Sequence, residues 1–303
     1  MKISTSMLFD RATERMSTIQ NRLATTQAQM AETKQVLSPS DAPDQAAAIQ
    51  RLHGEIDRQD SHIQALKVAM QRFSAEETAL KSSSDILTRV KELGLQAGND
   101  TLSPEDRKAV GVELKALRQQ LVSLGNSRDD SGNYLFSGTR VKTPAFSEDT
   151  DGVVTYHGDQ TQTQIPAGVE RVVQFTRAGT DVFSRVVRQD KQSVGFFDAL
   201  DHMIKAVDNS DTQGIQQGIS DASQMSSNLD LALAHTGSDQ KVVQSQLDVL
   251  NETTLRLKSS LSQVEDLDYA SAVTKMNKEM MALQAAMGSF SKISSLSLFE
   301  YIK

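Results

Sequence analysis

Near the start of the chain, positions 9, 12, 16, 19, 23, 26, 30, 33 and 37 step alternately by three and four. They carry Phe9, Ala12, Met16, Ile19, Leu23, Thr26, Met30, Thr33 and Leu37. Near the other end the same stepping picks out Tyr269, Val273, Met276, Met280, Leu283, Met287 and Phe290. A 3.5-residue stripe of this kind is the narrow seam of a helix that needs a partner helix. With a seam at each end, the economical arrangement pairs the first helix with the last. That is the build of an assembly component and not of an enzyme.

The spacing predicts a first helix from about Ser6 to Leu37, ended by Ser38-Pro39-Ser40-Asp41-Ala42-Pro43-Asp44. Pro43 falls in the first turn of a second helix running from about 44 to 97. Its seam is Ile49, Leu52, Ile56, Gln59, Ile63, Leu66, Met70, Phe73, Glu77, Leu80, Ser84 and Leu87. Ser103-Pro104-Glu105-Asp106 reads as a helix start, with a capping serine and a proline at the first helical position. The helix it opens carries Val110, Leu114, Leu117, Leu121 and Leu124.

From Asp129 to about Asp190 the pattern changes to short β-runs punctuated by glycines, Gly132, Gly138, Gly152, Gly158, Gly168 and Gly179 among them. The runs are Tyr134–Phe136, Val153–His157 and Val172–Thr176, a strand-and-turn insert. Helical spacing resumes near Val194, continues through Ile215, Ile219 and Leu229, and breaks near Thr236-Gly237. A further seam, Leu247, Leu250, Thr254, Leu257, Leu261 and Val264, meets an extra residue before Tyr269. One inserted residue turns a helix by about 100°, so Glu265-Asp266-Leu267-Asp268 reads as a joint between two bundles. The expected fold is mainly α, a nested long-helix coiled-coil bundle with a small β-rich insert at its tip. Its parts are 1–40 with 266–303, 41–130 with 191–265, and the insert 131–190.

Composition narrows the chemistry. The 303 residues include no cysteine and no tryptophan, which removes disulfides, thiol catalysis and thiolate metal sites. Aromatic residues are 5% of the chain, few for a large enzyme core. A net charge of −7 and a pI near 5.3 give no basic surface for nucleic acid or anionic membrane. No apolar run approaches a membrane span, and Met7-Leu8-Phe9 is too short for the core of a secretory signal. His53, His62, His157, His202 and His235 are scattered without ligand spacing, and Asp149-x-Asp151-Gly152 reads as an Asp-Gly turn rather than a calcium loop. Phosphate loops and nucleophile elbows are missing. The reading is therefore no catalytic residue, no metal and no cofactor. The methionines at 276, 280, 281 and 287 fit a coiled-coil core or a flexible binding face.

Four passages carry a family resemblance. They are Ile3-Ser4-Thr5-Ser6-Met7-Leu8-Phe9, Pro39-Ser40-Asp41-Ala42-Pro43, Ser131-Gly132-Asn133-Tyr134-Leu135-Phe136-Ser137-Gly138-Thr139, and Asp266-Leu267-Asp268-Tyr269-Ala270 with Ile293–Tyr301. Over its whole length the chain resembles the hook–filament junction (hook-associated protein 3) family of the flagellin superfamily. Ala42 departs from the Ser-Asp-Asp-Pro usual there. Flagellin itself is the nearest rival, but its usual Ala-Asn…Pro ending is absent. A cytoplasmic coiled-coil adaptor is the alternative from another class.

The resemblance implies a structural protein of the extracellular flagellum, exported by the flagellar type III apparatus without a cleaved signal peptide. It implies self-assembly into a layer between hook-associated protein 1 and flagellin, and an export chaperone. The assembly seam is expected at Phe9, Met16, Ile19, Leu23, Met30, Tyr269, Val273, Met276, Met280, Leu283, Met287 and Phe290. The chaperone is expected on the segment 269–293, at Met276, Met280, Leu283, Met287 and Phe290, since an amphipathic helix offers such anchors to an apolar groove. Thin end helices gain burial only from neighbours, which couples their folding to assembly.

Overall fold

The computed structural model describes residues 2–166, 172–188 and 191–301. Gly168 and Asp190 of the expected insert lie outside the described residues, as do the side chains of 2–6, 8 and 293–301. Seven helices are described: α1 (Lys2–Glu32), α2 (Pro43–Ala97), α3 (Pro104–Gly125), α4 (Gly179–Val182), α5 (Phe196–Asp208), α6 (Thr212–Glu265) and α7 (Tyr269–Tyr301). Six short strands are described as well: β1 (Phe146–Glu148), β2 (Val154–Tyr156), β3 (Gln164–Pro166), β4 (Val172–Gln174), β5 (Val186–Val187) and β6 (Ser193–Val194). The mainly α architecture with a small strand-bearing middle agrees with the pattern. The chain divides into two compact units, Met1–Gln59 with Glu252–Lys303, and Asp60–Asn251.

In the larger unit, Ile63, Leu66, Phe73, Leu80 and Leu87 of the α2 seam are buried, and Met70, Glu77 and Ser84 between them are half-buried. Helix α3 begins as its residues dictate. Ser103 Oγ accepts from the Asp106 N–H at 3.1 Å, and Pro104 occupies the first turn. Phe136, Phe146, Phe183, Phe196 and Phe197 pack edge to face beside Leu121 and Leu200. These rings place much of a small aromatic complement in one core, where each buries a large apolar area.

The strands form three separate antiparallel hairpins, β1–β2, β3–β4 and β5–β6. In the first, Phe146 faces Tyr156 and Glu148 faces Val154. The Asp149–Val153 connection is a turn, as expected, with Asp149 Oδ1 accepting from the N–H groups of Asp151 and Val153.

Three expectations are corrected. Helix α1 stops at Glu32, five residues early, because Thr33 takes a positive φ of 55° and the chain turns into an isolated bridge. Helix α6 runs unbroken through Thr236-Gly237, where the Thr236 hydroxyl bonds to the Ala232 carbonyl and Glu76. Tyr134–Phe136 is buried but not a strand, since Tyr134 forms only an isolated bridge with Arg128 and the Tyr134 and Leu135 carbonyls go to Arg72 instead of a ladder. Part of the insert packs on the helices. Val173 of β4 packs with Ile63, Leu66 and Phe73 of α2 and Val243 and Leu247 of α6. Its half-buried apolar face needed a helical surface to cover it.

Candidate functional site

The smaller unit holds the pair of end helices. On α1, Phe9, Ala12, Met16, Ile19, Leu23 and Met30 are half-buried, Thr26 is fully buried, and the residues between them are mostly exposed. The burial thus follows the sequence stripe up to Met30. Helix α7 runs antiparallel to α1. Phe9 meets Phe290 edge to face, with centroids 5.4 Å apart, and the Thr26 hydroxyl donates to Glu279 Oε2 at 3.0 Å.

On α7 the stripe is shifted. Ala272 is buried, and Val273, Met276, Glu279, Leu283, Ala286 and Phe290 are half-buried. Tyr269, Met280 and Met287, expected in the same seam, are 55%, 40% and 56% exposed. The covered face of α7 carries the small Ala272 and Ala286, and Glu279 takes the Thr26 hydroxyl, so the larger side chains fall on the flank. The apolar stripe of α7 is therefore wider than the surface α1 covers.

The joint expected at Glu265–Asp268 lies where α6 ends and α7 begins. Gln35 N–H donates to the Glu265 carbonyl at 2.8 Å, and Leu267 N–H to the Thr33 carbonyl at 3.0 Å. These two bonds clasp 33–35 to 265–267 around the Lys34–Asp266 bridge. The Glu265 side chain is nearly buried and takes Lys34 Nζ at 2.7 Å and His53 Nε2 at 3.1 Å. The Lys34 hydrogen bond holds its carboxyl below the usual glutamate range against the opposing effect of burial. The counterpart break carries its own turn, in which Asp41 Oδ2 accepts from Ser38 N–H at 3.0 Å. The Ala42 carbonyl accepts the first helical bond of α2, from Ala46, but its methyl group cannot cap the helix.

The motif Ser131–Thr139 is a structural clasp in the larger unit. Asp129 Oδ1 accepts from the Ser131 and Asn133 N–H groups, forming a tight turn. Fully buried Arg72 donates to the carbonyls of Leu135 (2.7 Å), Tyr134 (3.3 Å) and Phe175 (3.0 Å), and pairs with Asp129 at 3.2 Å. Its guanidinium also lies over the Phe175 ring, 5.2 Å from the centroid. Gly138, at φ +66°, passes so close to Asp159 that a Cβ would lie 2.3 Å from the Asp159 carbonyl oxygen. Buried Glu76 takes Arg177 at 2.6 Å. Arg72 and Glu76, and the burial of Glu265 within the expected joint, escaped the sequence reading, because a charged residue on a long helix ordinarily marks its solvated face.

A cleft of about 680 Å³ is lined by Lys115, Arg118, Glu148, Asp201 and Asp208 among others. Several of its charges pair within the cleft, Arg118 with Glu148 at 2.7 Å and Asp201 at 2.6 Å, and Lys115 with Asp208 at 2.8 Å. No group of three or more metal-ligating side chains occurs among the described residues, and no described helix is long and apolar enough to cross a membrane.

The candidate site is thus the pair of helices at the two chain ends, with an apolar flank of α7 left uncovered. Comparison with known proteins gives it a family. Residues 3–141 match the bacterial flagellin N-terminal helical region, and residues 212–302 match the bacterial flagellin C-terminal helical region. The chain belongs to the bacterial flagellin superfamily. It is 25% identical to flagellar hook-associated protein 3 of Salmonella typhimurium, with 99% of each chain covered. A flagellin of Listeria monocytogenes is 20% identical, covering 96% of this chain and 95% of the relative. The fold is shared with the crystal structure of Xanthomonas campestris FlgL at a TM-score of 0.60 and 23% identity, over 71% of this chain and 99% of that one.

Proposed function

We propose that this chain is a structural subunit of the bacterial flagellum, forming the junction layer between hook and filament. The end-to-end similarity to hook-associated protein 3 carries this reading. The α1–α7 pair supplies its physical side, because an apolar stripe only partly covered within one chain is completed by neighbouring subunits. In this reading 1–40 with 266–303 form the axial core, 41–130 with 191–265 a helical bundle, and 131–190 the outer part. Subunits contact one another, hook-associated protein 1 on one side and flagellin on the other. The protein works on the outside of the cell. Before export, the exposed flank of α7 at Met280 and Met287, together with Met276, Leu283 and Phe290, binds an export chaperone.

The rival reading, a flagellin-type filament subunit, has the weaker full-length match to the Listeria flagellin behind it. Immunogold labelling of isolated flagella separates the readings. Label at a single band between hook and filament is the expected result. Label along whole filaments supports the flagellin reading. Label only in the cytoplasm would overturn both in favour of an adaptor.

A further inference from the structure

The segments of α2 and α6 beside the clasp are thinly packed. Between 43 and 59 the hydrophobic core includes Ile56 alone, and between 252 and 264 Thr254 is the buried residue. An open groove lies there, lined by Ala48, Leu52, Gly54 and Leu257. Two helices with so little buried area are marginal by themselves.

Their end is also electrostatically awkward. Helix α6 finishes on Glu265 with no basic residue in its last turn, although the partial negative charge of a helix C-terminus repels a carboxylate. Partners for that carboxylate come from elsewhere in the chain, one of them a cation, Lys34. Lys34 arrives from the segment after α1, and His53 from α2, both onto one nearly buried carboxylate. Glu265 therefore links three stretches of chain at the level where both α1 and α6 stop being helical.

We propose that the Lys34–Glu265–His53 cluster is a fraying stop, which holds 43–59 and 252–265 folded when the end helices α1 and α7 are not packed by neighbours. The clasp keeps its two backbone hydrogen bonds because Glu265 anchors both the 33–35 strand and α2. Without that anchor, opening that starts in the end helices runs on into the thinly packed stretch. It halts only at the core that begins near Ile63. The device belongs to the free chain and does not depend on which layer of the flagellum the subunit occupies.

Hydrogen exchange on the purified full-length chain tests it, comparing wild type with Glu265→Gln and Lys34→Met. Losing a charge-assisted bond speeds opening by about tenfold, which is the acceleration expected at the amides of 43–59 and 252–267 in both variants. Amides between 63 and 250 should exchange at the wild-type rate. Wild-type protection of 43–59 and 252–267 in both variants would overturn the proposal. So would equal loss across 63–250, because the cluster would then serve the whole fold and not its end.

Discussion

The Thr26 hydroxyl donates to the Glu279 carboxylate across the paired end helices, 3.0 Å away, with Thr26 wholly buried. A polar contact inside an otherwise apolar seam fixes the register of two helices, since sliding by one turn would leave both groups unpaired. It fixes the outward flank as well. With Glu279 turned toward α1, Met280 and Met287 face away from it.

Charges placed on this seam should stop assembly without unfolding the larger unit. A carboxylate at Ile19 or Leu283 loses burial and costs roughly several kcal/mol unless paired. Cells carrying Ile19→Asp or Leu283→Asp are expected to release flagellin into the medium and to lack filaments. The purified variants should keep the thermal transition of 60–251. Normal filaments on Leu283→Asp cells would refute the seam.

In the free chain the end helices should be the first parts to open. Isolated helices with narrow seams are marginal in water. Limited proteolysis of purified monomer is expected to remove residues up to about Thr33 and beyond about Asp268, sparing the middle. Equal resistance of the ends at micromolar concentration would contradict coupled folding and assembly.

Arg72→Met should destabilise the larger unit by about 3 kcal/mol, because it removes the bonds to three backbone carbonyls and the ion pair with Asp129 at a buried place. Denaturant unfolding followed in the middle fragment measures the loss. An unchanged midpoint would mean that the Ser131–Thr139 motif is not held by this guanidinium. For the same reason, replacing 147–183 by a flexible linker should unfold the unit, as it removes Val173, Phe175 and Arg177 from their partners.

Acid should loosen the clasp. The Glu265 carboxyl titrates below its ordinary range in the folded chain, chiefly through Lys34 and also through His53. A depressed carboxylate contributes stability above its unfolded pKa and loses it as pH falls through the lower folded value. Lys34 also faces Glu32 and Asp266. Amide protection at Gln35 and Leu267, corrected for intrinsic exchange, should hold at neutral pH and fall below the normal glutamate range. In Glu265→Gln that pH dependence should flatten.

The uncovered flank of α7 should serve before assembly. A peptide of residues 269–293 is expected to compete with the full chain for its export chaperone, and Met280→Glu with Met287→Glu should abolish the competition. Flexible methionines suit a surface that packs against successive partners. Undiminished chaperone binding by a chain truncated after Asp268 would end this idea.

The sequence by itself determined the helices, the pairing of the first with the last, and the joint near Glu265. Each follows from local periodicity or from proline and one-residue shifts, which need no knowledge of distant residues. The α1 stripe survived intact from Phe9 to Met30 for that reason. Only the tertiary structure decided which face of α7 meets α1, where α1 stops, and how the strands pack. Hydropathy ranks Met280 above Glu279, whereas the structure turns Glu279 onto the Thr26 hydroxyl and leaves Met280 exposed. The burial of Arg72, Glu76 and Glu265 was likewise invisible, because a buried charge is defined by partners 57, 101 or 231 positions away in the chain, Asp129, Arg177 and Lys34. Periodicity reads one chain's neighbours along a helix, and packing chooses among faces that periodicity leaves nearly equal.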